Sequence, residues 1–88
     1  MKLGKVIGTV VSTRKDEALV GFKLLVIEVE SSPEGQPGER LVAVDYLGAG
    51  VGERVLVAQG CSARVTLEKP APTDATVVGI VDAVEHRE

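Results

Sequence analysis

A glycine-rich segment is the part of the sequence whose composition could bind a phosphate group. Three glycines stand at alternate positions between two apolar stretches: Gly48, Gly50 and Gly52. A dinucleotide fingerprint beginning at Gly48 requires a glycine where Glu53 stands, and a P-loop requires a lysine where Arg54 stands. Residues 54–58 are apolar and β-branched, so they predict a strand and provide no helix N-terminus for an anion. We therefore interpret the segment as a turn between two strands.

The residues that catalyse reactions or bind metals do not form a recognisable set. His86 is the single histidine and lies in the C-terminal tail, far in sequence from Cys61, so no Ser/His/Asp arrangement is indicated. The Cys/His spacing of a zinc site is missing, and Glu28 with Glu30 is more typical of an exposed strand-edge pair than of a cation site. We expect no enzyme, no bound metal and no cofactor.

Length and charge limit the classes of function. The chain has 88 residues, which predicts one domain over residues 1–88 that would be marginally stable alone. The net charge of −3 favours neither nucleic acid nor anionic lipid, and no apolar run approaches the ~18 residues of a membrane span. One cysteine excludes an internal disulfide and suits a reducing cytosol, so we expect an intracellular protein.

Strand and turn signals alternate along the chain. The predicted strands cover residues 5–13, 23–30, 40–46, 54–59 and 76–85. A sharp turn at Gly60 follows the fourth strand, and Ser62 is placed to begin one or two helical turns before Pro70. The predicted fold is all-β: a small five-stranded OB-like β-barrel with one or two short helical turns between strands 4 and 5.

Several predicted strands are apolar on both faces, which is unusual for a small barrel surrounded by water. The opposed sets are Leu24 and Val26 against Leu25 and Ile27, Val55 and Val57 against Leu56 and Ala58, and Val78 and Ile80 against Val77 and Val81. One set of each strand fills the barrel, so the other set points outward. Covering four such side chains would contribute roughly 6–12 kcal/mol. The connections at residues 14–22 and 31–39 are polar, and we expected them to cover these side chains poorly. The pattern therefore predicts self-assembly.

An OB-like barrel also suggests a different function, a single-stranded nucleic-acid-binding module. Such modules combine a basic groove with aromatic side chains on which bases stack. This chain is acidic, and its two aromatic residues, Phe22 and Tyr46, are not interleaved with lysine or arginine. We rank this alternative well below assembly.

Four segments in the same order resemble one known family. They are MKLGKVIGTVVS at 1–12, VD at 44–45 with LGAGVGE at 47–53, GCSAR at 60–64, and PTDATVVGIVD at 72–82. Together they are similar to the EutN/CcmL family, the vertex proteins of bacterial microcompartment and carboxysome shells. The resemblance implies a cyclic pentamer with a narrow axial channel, which caps the vertices of a cytoplasmic shell built from hexameric shell proteins. A hexameric ring of the same fold would use similar surfaces, and the enclosed pathway belongs to other proteins.

The resemblance also indicates where an axial channel or a subunit contact is expected. The candidate residues are Gly48, Gly50, Gly52, Gly60, Cys61, Ser62, Arg64 and Asp82. The family usually has Ser-Ser before Ala-Arg, whereas this chain has Cys61, which we interpret as a small, partly buried thiol without a redox role. Arg64 and Asp82 are candidates for polar pairs between subunits, and the alternative for each is a solvent-exposed charge.

Overall fold

The computed structural model describes residues 1–11, 17–30, 38–60 and 73–83. In these ranges the elements are β1 (Lys2–Val10), a 3-10 helix (Glu17–Leu19), β2 (Lys23–Val29), β3 (Arg40–Asp45), β4 (Arg54–Gln59) and β5 (Ala75–Ile80). The strands close into a barrel in the order β1-β2-β3-β5-β4. Neighbouring strands are antiparallel, except that β3 and β5 are parallel. The predicted five-stranded barrel is confirmed, whereas the helical turns predicted after Gly60 fall in residues 61–72, outside the described ranges.

The barrel interior is filled by the side chains at alternate positions of the strands. On β2, Leu25 and Ile27 are fully buried, and on β4 Val55 and Val57 are fully buried. The apolar side chains of the core cluster are Val6, Leu25, Ile27, Ala43, Ala49, Val55, Val57, Ala75 and Val77. Each buried valine, leucine or isoleucine contributes roughly 1.5–3 kcal/mol, so this aliphatic set is the main source of the barrel's stability.

The first strand begins earlier than the sequence predicted. The sequence analysis started it at Lys5 and treated Gly4 as a boundary, but Lys2 and Leu3 are already paired with β4. Gly4 lies inside the strand and is buried, because the space that its side chain would fill is occupied by the Cγ2 methyl group of Ile27. A glycine that interrupts a strand pattern therefore marks a close packing contact here and not a strand end.

A β-bulge in β5 changes which face its residues present. Val57 pairs with Val77, but Val55 pairs with Ile80, so Val78 is an extra residue in β5. Because Val55 and Val57 both point into the barrel, Ile80 also faces inward, and it packs against the core cluster. The sequence analysis placed Ile80 on the same face as Val78 and opposite Val77; for Ile80 that prediction is wrong, because a strict two-residue period does not anticipate the bulge.

The fifth strand is shorter than predicted, ending at Ile80 and not at residue 85. Its last ladder bond joins the Val81 amide to the Arg54 carbonyl oxygen at 2.9 Å. The preceding residue, Glu53, is no longer beside β5, because its carbonyl oxygen accepts from the Val6 amide of β1. The partner strand therefore turns towards β1 at this point, and residues 81–83 are no longer in a strand.

Part of the outer surface is covered by the chain itself. Leu19 and Phe22, from the connection between β1 and β2, pack with Leu24 against Val44, which is almost fully buried. The sequence analysis considered this connection too polar to cover the outer face, and for Leu24 that was wrong. Two apolar residues in a polar segment are enough, because the 3-10 turn and the residues after it lie directly over the ends of β2 and β3.

We expect Gly4→Ala to lower the free energy of unfolding by roughly 1–3 kcal/mol, because the added methyl group must displace Ile27 and lies 3.0 Å from the Glu28 carbonyl oxygen. Urea unfolding at matched protein concentration measures the effect. The control is Lys5→Ala, which puts the same side chain at the adjacent exposed position and should change stability by less than about 0.5 kcal/mol. Equal effects of the two substitutions would contradict the close contact at Gly4.

Candidate assembly surface

The glycine-rich segment connects the end of β3 to the start of β4, as the turn interpretation predicted. Gly48 and Gly52 have φ angles of 86° and 95°, which side-chain-bearing residues rarely adopt. A Cβ atom at either position would meet nothing within 4 Å in this chain. These two glycines are therefore required by the backbone conformation and not by contacts within the chain. Gly50 has no positive φ angle.

Asp45, the last residue of β3, determines the shape of the loop. Its side chain is 1% exposed, and its two carboxylate oxygens accept hydrogen bonds from the amides of Leu47 at 2.9 Å, Gly48 at 3.2 Å and Ala49 at 2.8 Å. A buried carboxylate needs such donors to replace the water it has lost. The Nζ atom of Lys23, which lies opposite Asp45 on β2, adds a bond of 3.1 Å to the Ala49 carbonyl oxygen.

The sequence analysis placed Asp45 at the end of its strand but gave it no role. An aspartate followed within three residues by a glycine is a signal for side-chain bonding to the next backbone amides, and that signal was available. The tertiary part of the arrangement, the burial of the carboxylate and the bond from Lys23, depends on the pairing of β2 with β3. Local sequence does not reveal it.

The second half of the loop is attached to β1. The Gly50 amide donates to a carboxylate oxygen of Glu53 at 2.7 Å, and the Gly52 amide donates to the Val6 carbonyl oxygen at 2.8 Å. The Glu53 amide donates to the Gly50 carbonyl oxygen at 3.1 Å. Amides of the loop on both sides of its centre therefore bond to the protein itself, which agrees with a structural turn and gives no support to a phosphate-binding loop.

Several exposed apolar side chains lie on or beside this loop, and others lie elsewhere on the described surface. Val51 is 65% exposed and Val42, on the outer face of β3, is 48% exposed. The other exposed large apolar residues are Met1, Ile7, Val11, Val20, Tyr46 and Leu47. Because Gly52 bonds to Val6, the segments that carry Val51 and Ile7 lie side by side. An apolar surface of this kind is typical of a contact with another chain.

The outward face of the strands is less exposed than the sequence suggests. Leu24, Val26, Leu56 and Val78 are half-buried, and Ala58 is buried beside Thr76. The half-buried set agrees with the prediction that the strands carry apolar side chains on a second face. Val42 and Val51, which are exposed, were not singled out from the sequence.

Charged side chains on the same outer surface form ion pairs. Arg54 bonds to Glu30 at 2.7 Å, Arg40 to Glu28 at 3.3 Å, and Lys2 to Glu39 at 3.2 Å. The hydrogen bonds that Arg54 donates to the Glu30 carboxylate, together with the negative charge of Glu30, raise the pKa of Arg54 above its ordinary value. Glu28 and Glu30 therefore lie in two separate ion pairs, with Arg40 and Arg54 respectively.

The candidate residues from the sequence lie in three places. Gly48, Gly50 and Gly52 are together in the β3–β4 loop. Gly60 forms the turn after β4, where its amide donates to the Asp74 carbonyl oxygen at 2.8 Å and so ties the end of β4 to the approach to β5. Asp82 is exposed after β5. The remaining three, Cys61, Ser62 and Arg64, lie outside the described residues. The proposed contact or channel role of these residues remains a prediction.

Within the described ranges, no three histidine, cysteine, aspartate or glutamate side chains are grouped so that they could hold a metal ion. In the same parts of the chain, no helix combines the length and the apolar character that crossing a bilayer requires.

We expect Asp45→Asn to lower the free energy of unfolding by about 2 kcal/mol, because an amide group has one acceptor oxygen in place of two and directs an N–H group at a backbone amide. The matched control is Glu53→Gln, which makes the same change at an exposed carboxylate with one loop bond and should cost less than about 1 kcal/mol. Urea unfolding of both variants measures the two changes in free energy. A larger loss of stability for the control would contradict the role of Asp45.

Substitutions at the alternate glycines should differ within one loop. Gly52→Ala should destabilise the chain by roughly 1–2 kcal/mol because its φ angle of 95° strains any side chain. At Gly50 an added Cβ would make ordinary contact, 3.5 Å from a Glu53 carboxylate oxygen, so Gly50→Ala should be neutral within about 0.5 kcal/mol. Thermal unfolding of the two variants at equal concentration measures both effects. Equal losses of stability would contradict the predicted difference between the two positions.

Comparison with known proteins gives a consistent result. The sequence model of a family described as "Ethanolamine utilisation protein EutN/carboxysome" matches residues 1–82. The chain is 54% identical over 86 residues to the bacterial microcompartment shell vertex protein GrpN of Rhodospirillum rubrum, with 97% of each chain covered. It is 51% identical over 86 residues to the carboxysome shell vertex protein CcmL of Synechocystis, covering 96% of this chain and 85% of that one.

Solved structures agree with the sequence comparison. A structure described as the GrpN pentameric microcompartment shell protein from Rhodospirillum rubrum superimposes with a TM-score of 0.80 at 50% identity, with 100% of both chains covered. The ethanolamine utilization protein EutN from Escherichia coli gives a TM-score of 0.84 at 44% identity, covering 98% of this chain and 89% of that one. With the family match over residues 1–82, these findings show that the chain belongs to the EutN/CcmL family of microcompartment and carboxysome shell vertex proteins.

Proposed function

We propose that this protein is a structural component of a bacterial microcompartment shell, in which five copies form a ring that caps a vertex. The observation that carries the proposal is the similarity, over nearly the whole chain, to shell vertex proteins and to a shell protein described as pentameric. The partners of the ring are the other shell proteins of the same compartment, which the resemblance describes as hexameric. The ring would be located with them, in the bacterial cytoplasm.

The exposed apolar surface supports assembly on physical grounds. Val42 and Val51 lie on a barrel and a loop that are fixed by strand pairing and by hydrogen bonds, so they cannot fold inward to escape water. Covering each such side chain contributes roughly 1.5–3 kcal/mol before ordering costs. For a small domain, contacts between subunits are therefore a substantial addition to the stability of a single barrel.

The proposed role is non-catalytic. Several described ionisable side chains have structural roles. Asp45 and Glu53 accept hydrogen bonds from backbone amides, and Arg54 and Arg40 form ion pairs. The family supports the same role, since the relatives reported above are named as shell vertex proteins. On this proposal the protein contributes shape and closure to the compartment, and reactions belong to the proteins inside.

The alternative of a single-stranded nucleic-acid-binding module gains nothing from the surface. Lys2, Arg40 and Arg54 are each paired with a glutamate. Phe22 packs against Val44 and is not displayed for stacking on a base. A groove for a single strand needs free positive charge beside exposed aromatic rings.

Native mass spectrometry of the purified full-length chain tests the proposal directly. We expect a species of five subunits that persists when salt is raised, because apolar contacts are screened little by ions. A dilution series would give the concentration at which the ring dissociates. A stable monomer across the series would refute the vertex role, and a six-subunit ring would refute the stoichiometry.

A further inference from the structure

The outer face of the barrel carries two short apolar rows that point away from the interior. One row crosses β1, β2 and β3 through directly paired residues, and we call it the β3 row: Gly8, Val26 and Val42. The other crosses β1, β4 and β5 in the same way, and we call it the β4 row: Leu3, Leu56 and Gly79. Val26 lies between the buried Leu25 and Ile27, and Leu56 lies between the buried Val55 and Val57, so both rows face outward.

A belt of charged residues separates the two rows. Its members are paired across four strands: Arg54, Lys5, Glu28 and Arg40. On β1, Lys5 stands between Leu3 of the β4 row and Gly8 of the β3 row. In the barrel order, β2 and β3 lie on one side of β1, and β4 and β5 lie on the other. The rows are therefore two different surfaces on two sides of the barrel and not one continuous patch.

Each row contains a glycine at a position where the described part of the chain has room for a side chain. Gly8 and Gly79 are in strands, where glycine is destabilising, and neither has a positive φ angle. A Cβ at Gly8 would lie 3.9 Å from Val26, and one at Gly79 would lie 3.7 Å from Leu56, both ordinary contacts. Gly4 differs, since its missing side chain makes room for Ile27. A strand glycine with space for a side chain is consistent with close approach by another molecule.

We propose that the β3 row of one subunit packs against the β4 row of the next, and that this head-to-tail contact is the subunit interface of the ring. The proposal rests on the pentameric function proposed above and goes beyond it by assigning the two halves of the contact. A cyclic ring of five needs two unlike surfaces on each subunit, because a contact between identical surfaces closes at a dimer. The charged belt keeps the rows distinct, and the glycines let the backbones approach.

The test places an aspartate on one row at a time. Val42→Asp disables the β3 row and Leu56→Asp disables the β4 row, and native mass spectrometry should find each variant monomeric. Mixed in equal amounts, they should form a heterodimer, because the intact β3 row of Leu56→Asp fits the intact β4 row of Val42→Asp. No larger species should appear, since each partner has then lost its second contact.

Controls keep the outcome decisive. Val11→Asp makes the same change at a residue that is 89% exposed and in neither row, and it should remain pentameric. Circular dichroism establishes that each variant is folded; if Leu56→Asp is not, Gly79→Asp charges the same row at a position with space for a side chain. Pentamers from either row variant, homodimers of one variant alone, no heterodimer in the mixture, or loss of the ring in Val11→Asp would each overturn the assignment.

The glycines give a second measurement. Gly8→Ala and Gly79→Ala should leave the unfolding of the isolated chain unchanged or slightly improved, because alanine loses less backbone entropy than glycine in a strand. Both should raise the concentration at which the ring dissociates by tenfold or more. Unchanged dissociation in both variants would overturn the close approach. A wild-type chain that is monomeric would instead refute the proposed function, so the two failures are distinguishable.

Discussion

Each strand of a closed barrel has two faces, and the barrel interior covers only one of them. In this chain the inward faces are aliphatic and fully buried at Leu25, Ile27 and Val57, while the outward faces still carry Val26 and Val42. The chain covers part of that outer surface itself, with Leu19 and Phe22 packed on Leu24 and Val44. Val42 stays half exposed on the described surface, where the proposed subunit contact would cover it. The architecture that gives a small domain its core therefore also creates its need for a partner.

A buried carboxylate imposes the second constraint. Asp45 can stay in the interior only if donors replace its hydration, and three consecutive amides of the loop provide them. The backbone that presents those amides turns at Gly48, whose φ angle is positive. One interior carboxylate thus fixes the first half of the loop that separates β3 from β4. The second half is held by the bond from the Gly52 amide to Val6, which positions Val51 at the surface.

The sequence predicted what depends on local pattern. The bounds of β4, the grouping of Leu25, Ile27 and Val29 on one face of β2 and the turn at the glycine-rich segment follow from alternation and turn residues, and all three were correct. The early start of β1 was missed because Gly4 is explained only by Ile27, a residue on another strand.

The orientation of Ile80 was missed for the same kind of reason, since it depends on a bulge defined by pairing with β4. The burial of Val44 depends on where two apolar residues of the polar β1–β2 connection pack. The same limit applies to the assembly surface, where pattern indicated an apolar outer face but not which residues are exposed on it. Each of these errors concerns a contact between residues distant in sequence, which residue type and spacing alone do not determine.

The difference between the two apolar rows explains how assembly could stop at a defined size. If each subunit contributes one copy of each row, any open chain of subunits ends with one unpaired row at each end. Only a closed ring pairs every row, so closure leaves no row exposed and no site for a further copy. The charged belt on Lys5 and Glu28 prevents a shifted contact in which one row slides onto the other, because that would place charges against aliphatic side chains. A protein that must end a sheet at a corner needs this property more than it needs high affinity.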